Sequence, residues 1–170
     1  MRLLKAEEID VKVKQVNQNG CLLLLYKTAR VDMQILDEVF TPMGWQCEYK
    51  DINGVLYCGI GVKDTVEGGW VWKWDCGIES RDNDGMEKKG QASDAFKRAG
   101  FKWGIGRELY TAPFIWAKVP TVKAGNAYQL ADKYARFNVD SIDYDNAGNI
   151  TSLVIMDNKG QVVYKVHKAV

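Results

Sequence analysis

MEKKGQASDAFKRAGFKWGIGRELY, residues 86–110, is the stretch on which the fold turns. Within it Ala92, Ala95, Phe96, Ala99 and Trp103 recur at the three-and-four spacing of one helix face. That face mixes small and aromatic side chains, so the spacing predicts a long helix laid closely on a sheet. Gly100, Gly104 and Gly106 weaken the C-terminal half, and Pro113 stops the helix.

The sheet is expected immediately upstream. Trp45, Cys47 and Tyr49 alternate with polar residues, which is the period of a strand. Asn53-Gly54 predicts a two-residue hairpin turn, because both residues accept positive φ. Residues 55–62 form the return strand, and Gly68-Gly69 a second turn. Trp70, Trp72, Trp74, Cys76 and Ile78 then alternate with Val71, Lys73, Asp75 and Gly77. This tryptophan stripe has two readings, a platform for stacked bases or the core side of the sheet. Alternation with Lys73 and Asp75 says that one side is wet and the other dry, and favours the core.

Further out, Ile9, Val13 and Val16 fall on one face at i, i+4 and i+7, so residues 6–18 read as a short helix. Asn19-Gly20 is a turn and residues 21–26 a buried strand. Residues 31–40 are a helix closed by Pro42. Residues 136–144, 150–156 and 161–166 read as strands separated by turns at 146–149 and 158–160. The expected fold class is α+β: an antiparallel β-meander packed against a long α-helix, a β-β-β-α core, with a C-terminal β-hairpin extension.

Composition narrows the function classes. Hydrophobic residues make up 46% of the 170, enough for a core and against disorder. Net charge is +1, so any nucleic-acid contact must come from a local patch. The four cysteines lack C-x-x-C spacing and there is one histidine, which argues against a zinc site. A reduced, cytoplasmic setting is expected, with no membrane partner, since no apolar run approaches the ~20 residues that span a bilayer.

Motif tests mostly fail. Residues 85–92 resemble a phosphate loop, but Gln91 and Ala92 stand where Lys and Ser/Thr must be. Gly104-Ile105-Gly106 lacks the third glycine of a dinucleotide fingerprint. His167 has no evident nucleophile or orienting acid. Asp82, Asp84, Asp140, Asp143 and Asp145 could hold magnesium for nuclease chemistry, although loop acids are more often turn formers. What remains is the charge of the long helix. Lys88, Lys89, Lys97, Arg98, Lys102 and Arg107 outnumber Glu87, Asp94 and Glu108, and Arg98 and Lys102 share a face at i, i+4. Charge alone does not separate a DNA site from a solvated helix face.

Residues 89–99, KGQASDAFKRA, followed by Trp103-Gly104 and Leu109-Tyr110, resemble the signature helix of the Rad52 family of single-strand annealing proteins, phage recombination members above all. Arg30-Val31, Asp37-Glu38-Val39-Phe40 and Gly44-Trp45 resemble the family's first block, and Gly77-Ile78-Glu79 stands where the order of elements requires. The resemblance covers about residues 20–112. A length of 170 residues fits one domain over 1–170, or one domain with a short appendage, and the resemblance marks 20–112 as the annealing core and leaves 113–170 as a β extension. The resemblance also implies a ring of subunits, with single-stranded DNA in a groove, phosphates against basic residues and bases free to pair. Carried over by position, the DNA-binding residues are Arg30, Lys97 and Arg98. Phe101 stands where the family often has a further basic residue, with Lys102 one place on. Lys88 and Lys89 lie near another basic position, and Lys63 near an outer DNA site. ATP-independent annealing in recombination and repair follows, with no catalytic residues, cofactor or metal. Other recombination or replication proteins are open as partners, but no recombinase partner is implied, because the eukaryotic C-terminal tail has no counterpart here. The alternatives are a scaffold that keeps the fold without binding DNA and a metal-dependent nuclease.

Overall fold

The computed structural model describes residues 1–77 and 87–167. In chain order the elements are β1 (Asp10–Asn17), β2 (Gly20–Tyr26), α1 (Ala29–Phe40), β3 (Trp45–Ile52), β4 (Val55–Lys63), β5 (Trp70–Cys76), α2 (Glu87–Lys102), β6 (Ile115–Ala117), β7 (Thr121–Ala124), β8 (Ala127–Leu130), β9 (Phe137–Tyr144), β10 (Ile150–Asp157) and β11 (Val162–His167). They form two compact units, Thr28–Gly106 with Met1–Arg2, and Leu3–Lys27 with Arg107–Val170.

In the first unit β3, β4 and β5 make an antiparallel sheet in that order. Asn53 (φ 55°) and Gly54 (φ 78°) form the tight β3–β4 turn, whose twist matches that of the strands it joins. The register from Trp45↔Val62 to Ile52↔Val55 has no bulge. Cys58, Ile60 and Val62 of β4 are buried on one face, and α2 covers that face with buried Ala95, Phe96 and Ala99. Small residues bring helix and sheet close: a Cβ on Gly77 would stand 2.1 Å from the Gln91 carbonyl oxygen. Trp45 meets Phe96 edge-on at 6.0 Å, and Trp103 donates its indole N–H to the Ile60 carbonyl at 2.9 Å. On the other flank of α2, Asp32 of α1 is fully buried with its carboxylate against Gly100, where a Cβ would come within 2.7 Å. The helix ends at Lys102, and Gly104 takes φ 95° just beyond.

The second unit is built on a six-stranded antiparallel sheet in the order β11-β10-β9-β1-β2-β6. Its core holds Leu23, Ile115, Phe137, Val139, Ile150, Leu153 and Ile155. Gly20 admits no side chain because the Ala117 carbonyl oxygen lies 2.1 Å from where its Cβ would be. The edge strands curl toward each other, and the Tyr164 hydroxyl donates to the Phe114 carbonyl at 3.4 Å. β7 and β8 form a separate hairpin. No helix among the described residues is long and apolar enough to cross a membrane.

The expected fold class is corrected by this second sheet. The chain is not a helix-covered meander with an appended hairpin; strands dominate it, and the largest sheet joins the N-terminal strands to the C-terminal ones through Asp10↔Asn138. The expected helix at 6–18 is a short 3-10 turn at Ala6–Glu8 followed by β1. A bulge explains the misleading spacing. The β1–β2 register slips between Val13 and Gln15, so Lys14 is an extra residue and Val16 rejoins the face of Val11 and Val13. Three-residue spacing across a bulge imitates a helix face.

Candidate nucleic-acid interface

The side chains of α2 divide between two flanks. Arg98 and Lys102, one turn apart, point toward β5. Arg98 Nε stands 3.4 Å from Asp75 Oδ1 and Lys102 Nζ 3.6 Å from Asp75 Oδ2. Lys102 also donates to the Trp74 carbonyl. Lys73, two residues before Asp75 and on the same face of β5, donates to the Lys102 carbonyl at 3.1 Å and holds its ammonium 4.3 Å over the Trp103 ring. That carbonyl belongs to the last turn of α2, where the helix dipole favours a cation. Two cations thus pair with Asp75 and Lys73 stands beside them at the end of α2, and the side chains of Arg98 and Lys102 remain 44% and 47% exposed. At that exposure the ion pairs hold the cations in place without consuming their charge, because such pairs are worth roughly 0–1 kcal/mol. The chemistry on offer is phosphate binding, with Arg98 able to present a two-pronged donor and the lysines point charges.

The other sequence-derived residues are placed differently. Lys97 is half-buried and turned about 100° around the helix from Arg98, toward the flank where Gly100 meets α1. Arg30 is exposed in the first turn of α1. Lys63 ends β4 opposite Trp70, on the sheet face away from α2. Lys88 and Lys89 start α2, but their side chains lie outside the described residues. The structure therefore brings Arg98 and Lys102 together, adds Lys73 and Asp75 to them, and puts Lys63 on the opposite face.

The tryptophan stripe also needs correction. Its period of two is right, but α2 covers the Lys73 and Asp75 side of β5. Trp72 and Trp74 lie on the far side, half-buried, with their rings across Gly61 and Gly59 of β4. The signal was available: two glycines in β4 fall in register with two tryptophans in β5, a small-for-large match that fixes where the rings lie.

Nothing in the described residues gathers into a metal centre of three or more His, Cys, Asp or Glu. Asp82 and Asp84 lie outside them. Asp145 is a turn former: it accepts from the amides of Ala147 and Asn149 at 2.9 and 2.8 Å. The Asn149 side chain, with these amides, holds its carboxyl below the usual range. His167 is exposed at the end of β11. Burial pushes the Cys21 thiol up to about 11 and the Cys58 thiol up to about 12, so neither offers a thiolate nucleophile at neutral pH.

Comparison with known proteins bears on the same segments. The chain is 35% identical over 104 residues to the single-stranded DNA-binding protein DdrA of Deinococcus radiodurans, an overlap of 61% of this chain and 48% of that protein. It is 34% identical over 100 residues to DdrA of Deinococcus deserti, 59% of this chain and again 48% of the relative. The chain thus spans about half the length of the curated relatives it matches. No solved structure matches it. The Rad52/22 family double-strand break repair proteins match it from residue 2 to residue 128, taking in β1 through α2 and most of the β7–β8 hairpin. The chain belongs to the Rad52/22 family of double-strand break repair proteins.

Proposed function

We propose that this chain binds single-stranded DNA and anneals complementary strands in recombination and repair, without ATP and as a ring-like oligomer. Membership of a double-strand break repair family carries the proposal, and the two relatives named for single-stranded DNA binding support it. The cluster of Arg98, Lys102 and Lys73 offers the local positive charge that a chain of net charge +1 needs. Arg30 and Lys97, on the α1 flank, are the second set of phosphate contacts in this reading, and Lys63, Lys88 and Lys89 are peripheral ones. Repetition of a modest patch around an oligomer would multiply its effect through effective concentration. Annealing needs no fuel, because duplex stacking supplies the free energy; the protein acts as a binder, not an enzyme.

The test is binding of a labelled single strand and of the matching duplex across a salt series, with a complementary strand then added in the absence of ATP. Single-strand preference is expected, with a log–log salt slope of about 0.7 per phosphate neutralised. Accelerated duplex formation is expected in the same tube. Failure to bind at low salt would overturn the proposal.

A further inference from the structure

We infer that the β3–β4–β5 face turned away from α2 is a stacking platform for the unpaired bases of a single strand, formed by Trp70, Trp72 and Trp74. The inference rests on the single-strand reading above and adds a base-contacting surface to the phosphate-contacting one.

The geometry is that of a floor. In register, Trp74 lies beside Gly59 and Trp72 beside Gly61. A Cβ on Gly59 would stand 2.4 Å from a Trp74 ring atom, and one on Gly61 2.8 Å from Trp72, so each indole lies flat across a glycine. Neither glycine has a positive φ, so the backbone does not call for glycine there. The rings do. Glycine in a strand interior weakens the strand and often marks a close approach. Here the approach holds two indoles flat instead of upright. Their centroids are 5.6 Å apart and their planes 25° from parallel, so the two indoles form an offset stack along the row, the arrangement that a base could extend. Glycine backbone closes the inner side of each indole, and both residues keep part of their surface open to a partner. Trp70, 39% exposed, continues the row.

The charges around this floor suit a strand. Lys50 holds its ammonium 4.3 Å from the Trp74 ring centroid, a contact that an arriving base can displace toward its own phosphate. Lys63, exposed, stands opposite Trp70 at the end of the row. Glu48 lies 3.3 Å from Lys50 and is the carboxylate to be outweighed. Every base has a π-face, so such a platform is tolerant of sequence, and a duplex, whose π-faces are already stacked, gains nothing from it.

The experiment compares the affinity of the full chain for oligo(dT) with that for an abasic strand of equal length, which keeps the phosphates and loses the bases. The wild type is expected to favour oligo(dT) by roughly tenfold or more. Trp72→Leu with Trp74→Leu should erase the preference and keep the abasic affinity and its salt slope. As a measure independent of that variant's folding, an iodouracil-substituted strand should photo-cross-link to the peptide carrying residues 70–76 of the unaltered protein. Equal affinity for both strands with no cross-link there overturns the platform and leaves the proposed function standing. No binding of either strand overturns the proposed function, and the platform with it. A double variant that falls to a smaller oligomer with its base preference intact overturns the platform by showing that the face seats a second copy of this chain.

Discussion

The two faces of the β3–β4–β5 sheet are made from the same strands and share none of their uses. Under α2 the face is closed by alanines and Phe96, with Cys58 and Ile60 at zero exposure and Trp45 and Trp103 packed beside them. On the other side, Trp72 and Trp74 lie half-open over glycines. Size and apolarity therefore do not decide which side is core. Reach does: a helix rich in alanine can come close to a sheet, and a row of indoles would hold it off.

Substitutions can break that contrast. The largest effect is expected at Phe96→Ala, which empties a fully buried ring from the helix side and should cost about 3–5 kcal/mol, read from the midpoint of urea unfolding. A loss below about 1 kcal/mol would mean that the helix face is not the core. Gly59→Ala comes next. Its Cβ drives into the Trp74 ring, so destabilisation of about 1–3 kcal/mol is expected, together with a shift in tryptophan emission. An unchanged spectrum would show that the ring does not lie on the glycine. Arg98→Ala with Lys102→Ala should weaken single-strand binding roughly tenfold and lower the salt slope by about 1.4, two phosphates' worth, with melting hardly moved. A variant with wild-type affinity would remove this cluster from the interface. Smallest is Asp75→Asn, which removes the opposing carboxylate. Affinity for a single strand should rise by about two- to fivefold at low salt, and stability should change by about 1 kcal/mol or less. Weaker binding would show instead that Asp75 is needed to hold the cations in position.

Local features were legible in the sequence where a single physical rule governed them. Asn53-Gly54 set the β3–β4 hairpin, and the 92, 95, 96, 99 spacing placed the buried side of α2. Features that depend on a distant partner were not. The bulge at Lys14 disguised β1 as a helix, and its pairing with β9 joins residues far apart in sequence. The same limit held at the candidate site. Arg98 and Lys102 could be grouped by helix spacing, whereas Lys73 and Asp75 looked like the wet side of a strand until α2 was known to lie on them. Lys97 and Arg98 are neighbours in sequence and about 100° apart on the helix.

The bond from Lys102 to the Trp74 carbonyl has a consequence for what the edge of this sheet can pair with. Within the described residues β5 is an edge strand. The bonds Asp64 N–H to Gly69 and Gly77 N–H to Leu56 set the alternation that turns the Trp74 carbonyl outward, away from β4. An open edge of this kind invites a foreign strand to add, the usual start of uncontrolled aggregation. Lys102 occupies that acceptor with a charged ammonium, and Arg98 stands one turn before it. A cation of the candidate phosphate site is thus also a gatekeeper: it caps an acceptor on a sheet edge that would otherwise stand open.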